Sequence, residues 1–412
     1  MLRKIVRTHA PVIAFSLLVI GIVQTQSHAQ TLTGRAVLPA DTFAPGPTSG
    51  QFIAPANGRI PPFAKQPVQG FSAVLKGPGD SFLVMCDNGF GAKANSADFV
   101  LRVYQVDPDF KTKSRGTGTV AFRIFFTLSD PDHKVNFPIV ADHMQYPNSS
   151  IDVDPAIRNG RLLTGADFDI ESFRQAHDGT FWFGDEFGPF LVHTDASGKV
   201  LEAPFPLAGV ASPDDPLGRP TSLASSKGFE GMAILPDGKR LYPLLEGPLT
   251  TDPDKHRLII NEFDLATKAY TGRQFFYRME DTTQSGQSIG DFTAVSDHRF
   301  LVIERDSGQG ASAHFKKIFL VDFEDIDSNG FLVKHQIADL LNIADPDDIG
   351  GTGTGVFTFP FVTIESVLPL SANTLLVIND NNYPFSTGRV AGQPDDDEFI
   401  IIKLDRPLSE KK

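Results

Sequence analysis

Residues 228–247 read GFEGMAILPDGKRLYPLLEG. An apolar strand carries an acid, Glu230, near its start. The tetrapeptide Pro236-Asp237-Gly238-Lys239 is a turn signal, because Asp and Gly accept the backbone angles of a tight hairpin. A second apolar strand, LYPLL, follows and ends on Glu246. The same pattern recurs four more times. Residues 70–89, GFSAVLKGPGDSFLVMCDNG, place Ser72 and Asp87 at the two ends. Residues 167–188, DFDIESFRQAHDGTFWFGDEFG, place Glu171 against Asp185 and Glu186. Residues 290–306, GDFTAVSDHRFLVIERD, offer Asp291 against Glu304 and Asp306. Residues 363–382, TIESVLPLSANTLLVINDNN, offer Glu365 against Asp380. Internal repeats of this size mean a repeat architecture.

Each repeat continues into a third apolar run: FVLRVYQV, FLVHTD, LIINEFDL, KIFLVDF and EFIIIKL. Outer strands are expected at 119–128 and 272–279. Three to four antiparallel strands per unit, repeated around a ring, make an all-β chain with a single β-propeller. A β-sandwich would not require five equivalent units. Five blades are clear. The long interval between the first two repeats, containing PDHKVNFPIVADHMQYPNSSIDVDPAIRNGR, is either an insertion or a degenerate sixth blade. Residues 31–46 are expected to supply the outer strand of the last blade and close the ring. The expected layout is a signal peptide over 1–29, an N-terminal segment over 30–64, the propeller over 65–405 and a tail over 406–412.

The chain has 412 residues, 41% hydrophobic and 21% charged, which is ample for a large core. Phe occurs 35 times against six Tyr and one Trp, so the aromatics serve mostly as core filler. At the N-terminus, Arg3, Lys4 and Arg7 precede the apolar run PVIAFSLLVIGIV, and Ser27-His28-Ala29 has the small-x-small form of a cleavage site. Export to a periplasmic or extracellular space follows, with no membrane span after cleavage. The net charge of −13 becomes more negative once those basic residues leave. Such a surface disfavours nucleic acid and suits cations. The lone cysteine, Cys86, lies in an apolar strand, so no intrachain disulfide forms and the thiol is expected to be inert.

In a propeller the inner strands line a central channel, so Glu171, Glu230, Asp291 and Glu365 should converge, with Asp185, Glu186, Glu246, Glu304 and Asp380 near them. Carboxylates gathered in one pocket repel, and a bound cation relieves that repulsion. Hard oxygen donors favour Ca²⁺, then Mg²⁺ or Mn²⁺, and the lack of accompanying His or Cys disfavours zinc. The expected metal ligands are therefore Glu171, Asp185, Glu230, Glu246, Asp291, Glu304, Glu365 and Asp380. Asp185-Glu186-Phe187-Gly188-Pro189 is the densest candidate. Glu186, Glu230 and Arg305 are the expected catalytic groups, with one carboxylate as general base and the guanidinium binding phosphate. The plain alternative is that these acids cap backbone amides and pair with Arg305 to hold the blades in register.

The strings GFEGMAILPDGKRLYPLLEG, ADFDIES, FGDEFGPFL, GDFTAV and TIESV, in this order, resemble the phytase-like family with esterase-like activity. The resemblance covers roughly residues 65–405 and implies an exported propeller that hydrolyses phosphoesters or esters. The calcium-binding signature of the established β-propeller phytases is not present in the chain, which leaves the substrate open.

Other motifs carry less. Gly286-Gln287-Ser288-Ile289-Gly290 fits G-x-S-x-G, but a propeller strand rather than a helix follows. Asp325-Ile-Asp327-Ser-Asn329-Gly330 begins like a calcium loop, yet Gln336 stands where Glu is needed, so a β-turn is expected. His177 and His298 fall in hairpin turns, and Asp395–Glu398 is expected to be a solvated loop. Two functions remain: a monomeric, cation-dependent hydrolase of small-molecule phosphoesters or esters, and a non-catalytic propeller that binds a ligand or protein on the same face.

Overall fold

The computed structural model describes residues 30–282 and 286–409. The proposed signal peptide lies outside the described residues. Blade 1 comprises Phe71–Lys76, Phe82–Cys86, Arg102–Asp109 and Thr119–Thr127. Blade 2 comprises Ile170–Gln175, Phe181–Asp185, Phe190–Thr194 and the short Phe205–Pro206. Blade 3 comprises Phe229–Ile234, Arg240–Leu245, Arg257–Asp264 and Ala269–Arg278. Blade 4 comprises Ser288–Ala294, Arg299–Arg305, Lys316–Ile326 and Leu332–Asp339. Blade 5 comprises Thr363–Ser371, Thr374–Asp380 and Asp397–Leu404, and its outer strand is Gln30–Leu38 from the other end of the chain. The expected ring closure is thus present, with Leu38 opposite Asp397 and Gln30 opposite Leu404.

The first strand of each blade packs against the first strands of both neighbours, and blade 5 meets blade 1. That closes a five-bladed β-propeller. The core divides in the same way, with one apolar cluster between each adjacent pair of blades. Phe173 and Phe183 pack with Met85 and Leu83 between blades 1 and 2. Trp182 packs with Phe229 and Met232 between blades 2 and 3. Fully burying each such side chain contributes about 2 kcal/mol, which is how a chain without disulfides holds a ring together.

One open alternative is decided and one expectation needs correction. The long first interval forms no sixth blade: its ordered elements are isolated bridges, a short 3₁₀ turn at Val140–Asp142 and one helix, Pro155–Gly160. Asp154 caps that helix by accepting from the Ala156 amide at 2.8 Å. The segment is an insertion over blades 1 and 2, and Phe137, Ile139 and Val140 join the apolar cluster there. Secondly, Asp395–Glu398 is not a solvated loop, because Asp395, Asp397 and Glu398 are buried. Glu398 accepts from Arg35 at 2.9 Å, which ties the closing strand into blade 5, and from Arg389 at 2.7 Å. Asp327, by contrast, behaves as expected. It accepts from the Asn329 and Phe331 amides in a β-turn.

Candidate active site at the channel mouth

The first strand of every blade is bulged at its start. The pairing register slips between Phe71 and Ala73, Ile170 and Ser172, Phe229 and Gly231, Ile289 and Asp291, and Ile364 and Ser366. A β-bulge inserts one unpaired residue and re-aims its side chain. The bulged residues are Ser72, Glu171, Glu230, Gly290 and Glu365. Blade 4 therefore contributes a glycine, and Asp291 is not the equivalent of Glu230. A Cβ on Gly290 would lie 2.0 Å from the Ile364 carbonyl oxygen, so no side chain fits at this contact.

Asp291 occupies the next position, with Ala73, Ser172, Gly231 and Ser366. That position links blades. Ser172 donates to the Phe229 carbonyl at 3.3 Å and Ser366 to the Phe71 carbonyl at 3.0 Å. Asp291 accepts from the Val367 amide at 2.9 Å and from Arg174 at 3.1 Å. It does not line the mouth.

The same parity sorts the second strands. Asp185 pairs with Ile170 and Glu304 pairs with Ile289. Successive side chains alternate between faces, so these two acids point away and the next residues turn in. Asp185 accepts from the amides of Asp169 at 2.9 Å and Gly188 at 2.7 Å. Burial pushes its pKa up to about 7. Glu304 accepts from the Tyr277 hydroxyl at 2.6 Å and from Lys334 at 2.8 Å. Neither faces the mouth. Asp306 is likewise held elsewhere, pairing with Lys316 at 3.0 Å. The inward set is Asp87, Glu186, Glu246, Arg305 and Asp380. In blade 4 a cation stands where every other blade has an acid.

The mouth is a cavity of about 360 Å³. Glu171, Glu230 and Glu365 line it from the bulges, and Asp87, Glu186, Glu246 and Asp380 from the second strands. An eighth carboxylate, Asp169, enters from just before the bulge of blade 2. Two cations oppose them, Arg305 and Lys227. Arg305 donates to Glu365 at 2.8 Å and lies 3.7 Å from Glu230 and 3.8 Å from Glu246. Ser72 donates to the other oxygen of Glu365 at 3.2 Å. Lys227 binds Glu246, whose second oxygen accepts from Ser288. Asp380 accepts from the Asn382 amide at 2.7 Å and from Thr363 at 3.0 Å. Asn88 also lines the cavity, but its oxygen already accepts from the Gly91 amide at 2.8 Å.

Burial, reinforced by like charge, raises the acids. Asp87, Glu171, Glu186 and Glu230 are each pushed well above the usual carboxylate range. Burial alone would push Lys227 down, but Glu246 and Glu186 hold its pKa above the ordinary value. Among the carboxylates lining the mouth, three buried oxygens have no hydrogen-bond partner: Asp169 Oδ1, Glu186 Oε1 and Glu230 Oε1. They belong to two triads whose oxygens lie within 4.8 Å of one another, Asp169–Glu171–Glu186 and Glu186–Glu230–Glu246. Glu186 is common to both. Glu230 Oε1 has Arg305 at 3.7 Å, while Asp169 Oδ1 and Glu186 Oε1 have neither a hydrogen bond nor an ion pair. A buried carboxylate oxygen left so is costly, and these donors fit a hard divalent cation.

The sequence patterns brought together Glu171, Glu186, Glu230, Glu246, Arg305, Glu365 and Asp380 as expected, and misplaced Asp185, Asp291 and Glu304. They missed Asp169 and Lys227. Each stands immediately before a bulge motif, one in Asp169-Ile170-Glu171 and the other in Lys227-Gly228-Phe229, and that adjacency was the available sign. Ser288 does reach the mouth, but no histidine lines it among the described residues. Cys86 is buried and its thiol is pushed well up by burial.

Among known proteins, an uncharacterized secreted protein of Arthroderma benhamiae is 27% identical over 183 residues, which cover 36% of each chain. The chain thus matches about a third of that relative's length. Solved structures similar to the chain include an endo-arabinanase from Bacillus licheniformis. It shares 11% identity, covers 81% of this chain and 93% of that one, and has a TM-score of 0.38. Virginiamycin B lyase from Staphylococcus aureus shares 11% identity over 82% and 95% of the two chains, with a TM-score of 0.32. The family model of the phytase-like proteins, described as esterase-like activity of phytase, matches residues 66–383. With that match spanning most of the chain, the protein belongs to the phytase-like family.

Proposed function

We propose that the channel mouth is a cation-dependent hydrolase site for phosphoesters. The observation that carries this reading is the set of three carboxylate oxygens without a hydrogen bond, on Asp169, Glu186 and Glu230, within a cavity lined by eight acids and two cations among the described residues. Glu186 would hold a divalent cation together with Asp169 and Glu171 on one side or Glu230 and Glu246 on the other, with Ca²⁺ favoured over Mg²⁺ or Mn²⁺ by the all-oxygen donor set. When bound, such an ion neutralises phosphoryl charge and lowers the pKa of a coordinated water.

The protein's own groups do the rest. Arg305 and Lys227 approach the cavity from blade 4 and from the entry to blade 3, and they draw in an anionic substrate that bare acids would repel. Glu230 accepts a proton from water as the water oxygen bonds to phosphorus. The bond from phosphorus to the ester oxygen breaks with its electron pair, and that oxygen recovers the proton from Glu230. An acyl-ester reaction at Ser288 lacks an imidazole base, so the phosphoester reading is preferred. The basic, then apolar, then small-residue pattern of the first 29 residues and the secreted fungal relative support export.

The test is hydrolysis of 4-nitrophenyl phosphate and 4-nitrophenyl acetate by the purified protein, with Ca²⁺ and with chelator. Phosphate release that depends on cation supports the site. Rates equal to buffer for both substrates in every condition would leave a ligand-binding propeller.

A further inference from the structure

A second cavity of about 600 Å³ lies beside the mouth. It is walled by the loop that follows the second strand of blade 1, by the insertion between blades 1 and 2, and by the segment linking blades 2 and 3. Gly91 and Ser226 line both cavities, so the two meet there. Phe187 is in its wall and directly follows Glu186, a ligand candidate of the mouth. One dipeptide therefore presents a carboxylate to the first cavity and an aromatic ring to the second.

The chemistry of the two differs. Phe52, Phe137, Ile139, Pro147 and Phe187 supply apolar walls. These walls are fixed by packing: Phe137 stacks on Phe190 at 5.6 Å, and Phe52 meets Tyr146 edge-on at 5.2 Å. Several polar groups along the cleft are already engaged, while His143 and Asn148 stand exposed at its edge. Lys93 donates to the Asp214 carbonyl at 2.9 Å with its ammonium 5.0 Å from the centre of the Phe187 ring. Ser225 donates to the Asp214 carboxylate at 2.6 Å. Asp167 is consumed by the Val140 and Thr164 amides, at 2.7 and 2.8 Å. A polyol carrying several phosphates would set its charges against aromatic rings, with Lys93 and His143 as the only basic side chains among the described lining residues. An apolar or aromatic group would exchange water for those walls. The volume is in the usual range for small-molecule sites.

We infer that this cleft receives the apolar alcohol portion of a phosphoester whose phosphoryl group occupies the mouth, so that the preferred substrates are aryl or bulky alkyl phosphates rather than polyol phosphates. This rests on the phosphoester reading of the mouth. Gly91 and Ser226 mark the threshold between the two portions.

Calorimetry with two non-hydrolysable probes tests it on the calcium-loaded full protein. Naphthylmethylphosphonate should bind at least about tenfold more tightly than methylphosphonate. Ala92→Trp and Ala94→Trp each put an indole into the cleft from an exposed turn. They should abolish that preference while leaving methylphosphonate affinity unchanged. Equal affinity of the two probes in the native protein, or a preference that survives both substitutions, would overturn the inference, as would failure of both probes to bind. Turnover of naphthyl phosphate is measured separately. A strong preference without turnover would keep the cleft and remove the hydrolase.

Discussion

Arg305 donates to Glu365 at 2.8 Å from the strand position that Asp87, Glu186, Glu246 and Asp380 fill in the other blades. The ring is therefore asymmetric: blade 4 contributes a guanidinium from its second strand and a glycine at its bulge. A buried cation so placed has two roles. It balances the nearest acids, and it offers charge to an incoming anion.

Arg305→Gln should expose that balance. Removing one partner of a buried ion pair costs about 3–5 kcal/mol, because the remaining charges are left uncompensated. Urea unfolding in chelator should show a loss of this order. Part of the loss should return with Ca²⁺ as the ion takes over neutralisation, while 4-nitrophenyl phosphate turnover stays low.

Asp291→Asn separates a blade link from a ligand. Asp291 holds Arg174 and the Val367 amide away from the cavity. The substitution should cost roughly 3 kcal/mol by stranding the buried Arg174, with calcium affinity within about twofold of native. A large loss of calcium affinity would place Asp291 in the site after all.

Much of this was legible in the sequence, and the failures share a cause. The five hairpins and most of the mouth acids follow from strand periodicity and turn chemistry, and the ring closure expected from residues 31–46 is made by Gln30–Leu38. The slip at blade 4 came from matching acid to acid: Gly290 carries no side chain, so Asp291 took its place in the pattern. Only the bulge register, set by three-dimensional pairing, shows the offset. Asp185 and Glu304 failed on parity, since adjacent residues of one strand face opposite ways and the string alone does not say which faces the channel. Asp395, Asp397 and Glu398 are polar in sequence yet buried, and Glu398 is met by Arg35 from the other end of the chain and by Arg389 from nine residues before it.

Asp98 predicts a pH dependence away from the mouth. It is buried beneath the N-terminal segment, accepting from the Gln51 amide at 2.8 Å. Burial raises its pKa from 3.8 to about 6. Between those values the folded state binds the proton more strongly than the unfolded state, so stability falls as pH rises through that window and stays lower above it. Asp98→Asn should remove this slope. The variant should match the native protein near pH 4 and exceed it by up to about 3 kcal/mol at pH 7, read from thermal unfolding at both values.

The most direct measurement is the melting temperature of the chelated protein before and after millimolar Ca²⁺. A ligand bound only by the folded state must stabilise it, by about 2.7 kcal/mol at a hundredfold excess over Kd. The native protein should melt several degrees higher with calcium. Glu186→Gln, which alters the residue shared by both carboxylate triads, should remove most of that rise. A melting temperature unmoved by Ca²⁺, Mg²⁺ and Mn²⁺ alike would contradict a cation-dependent mouth.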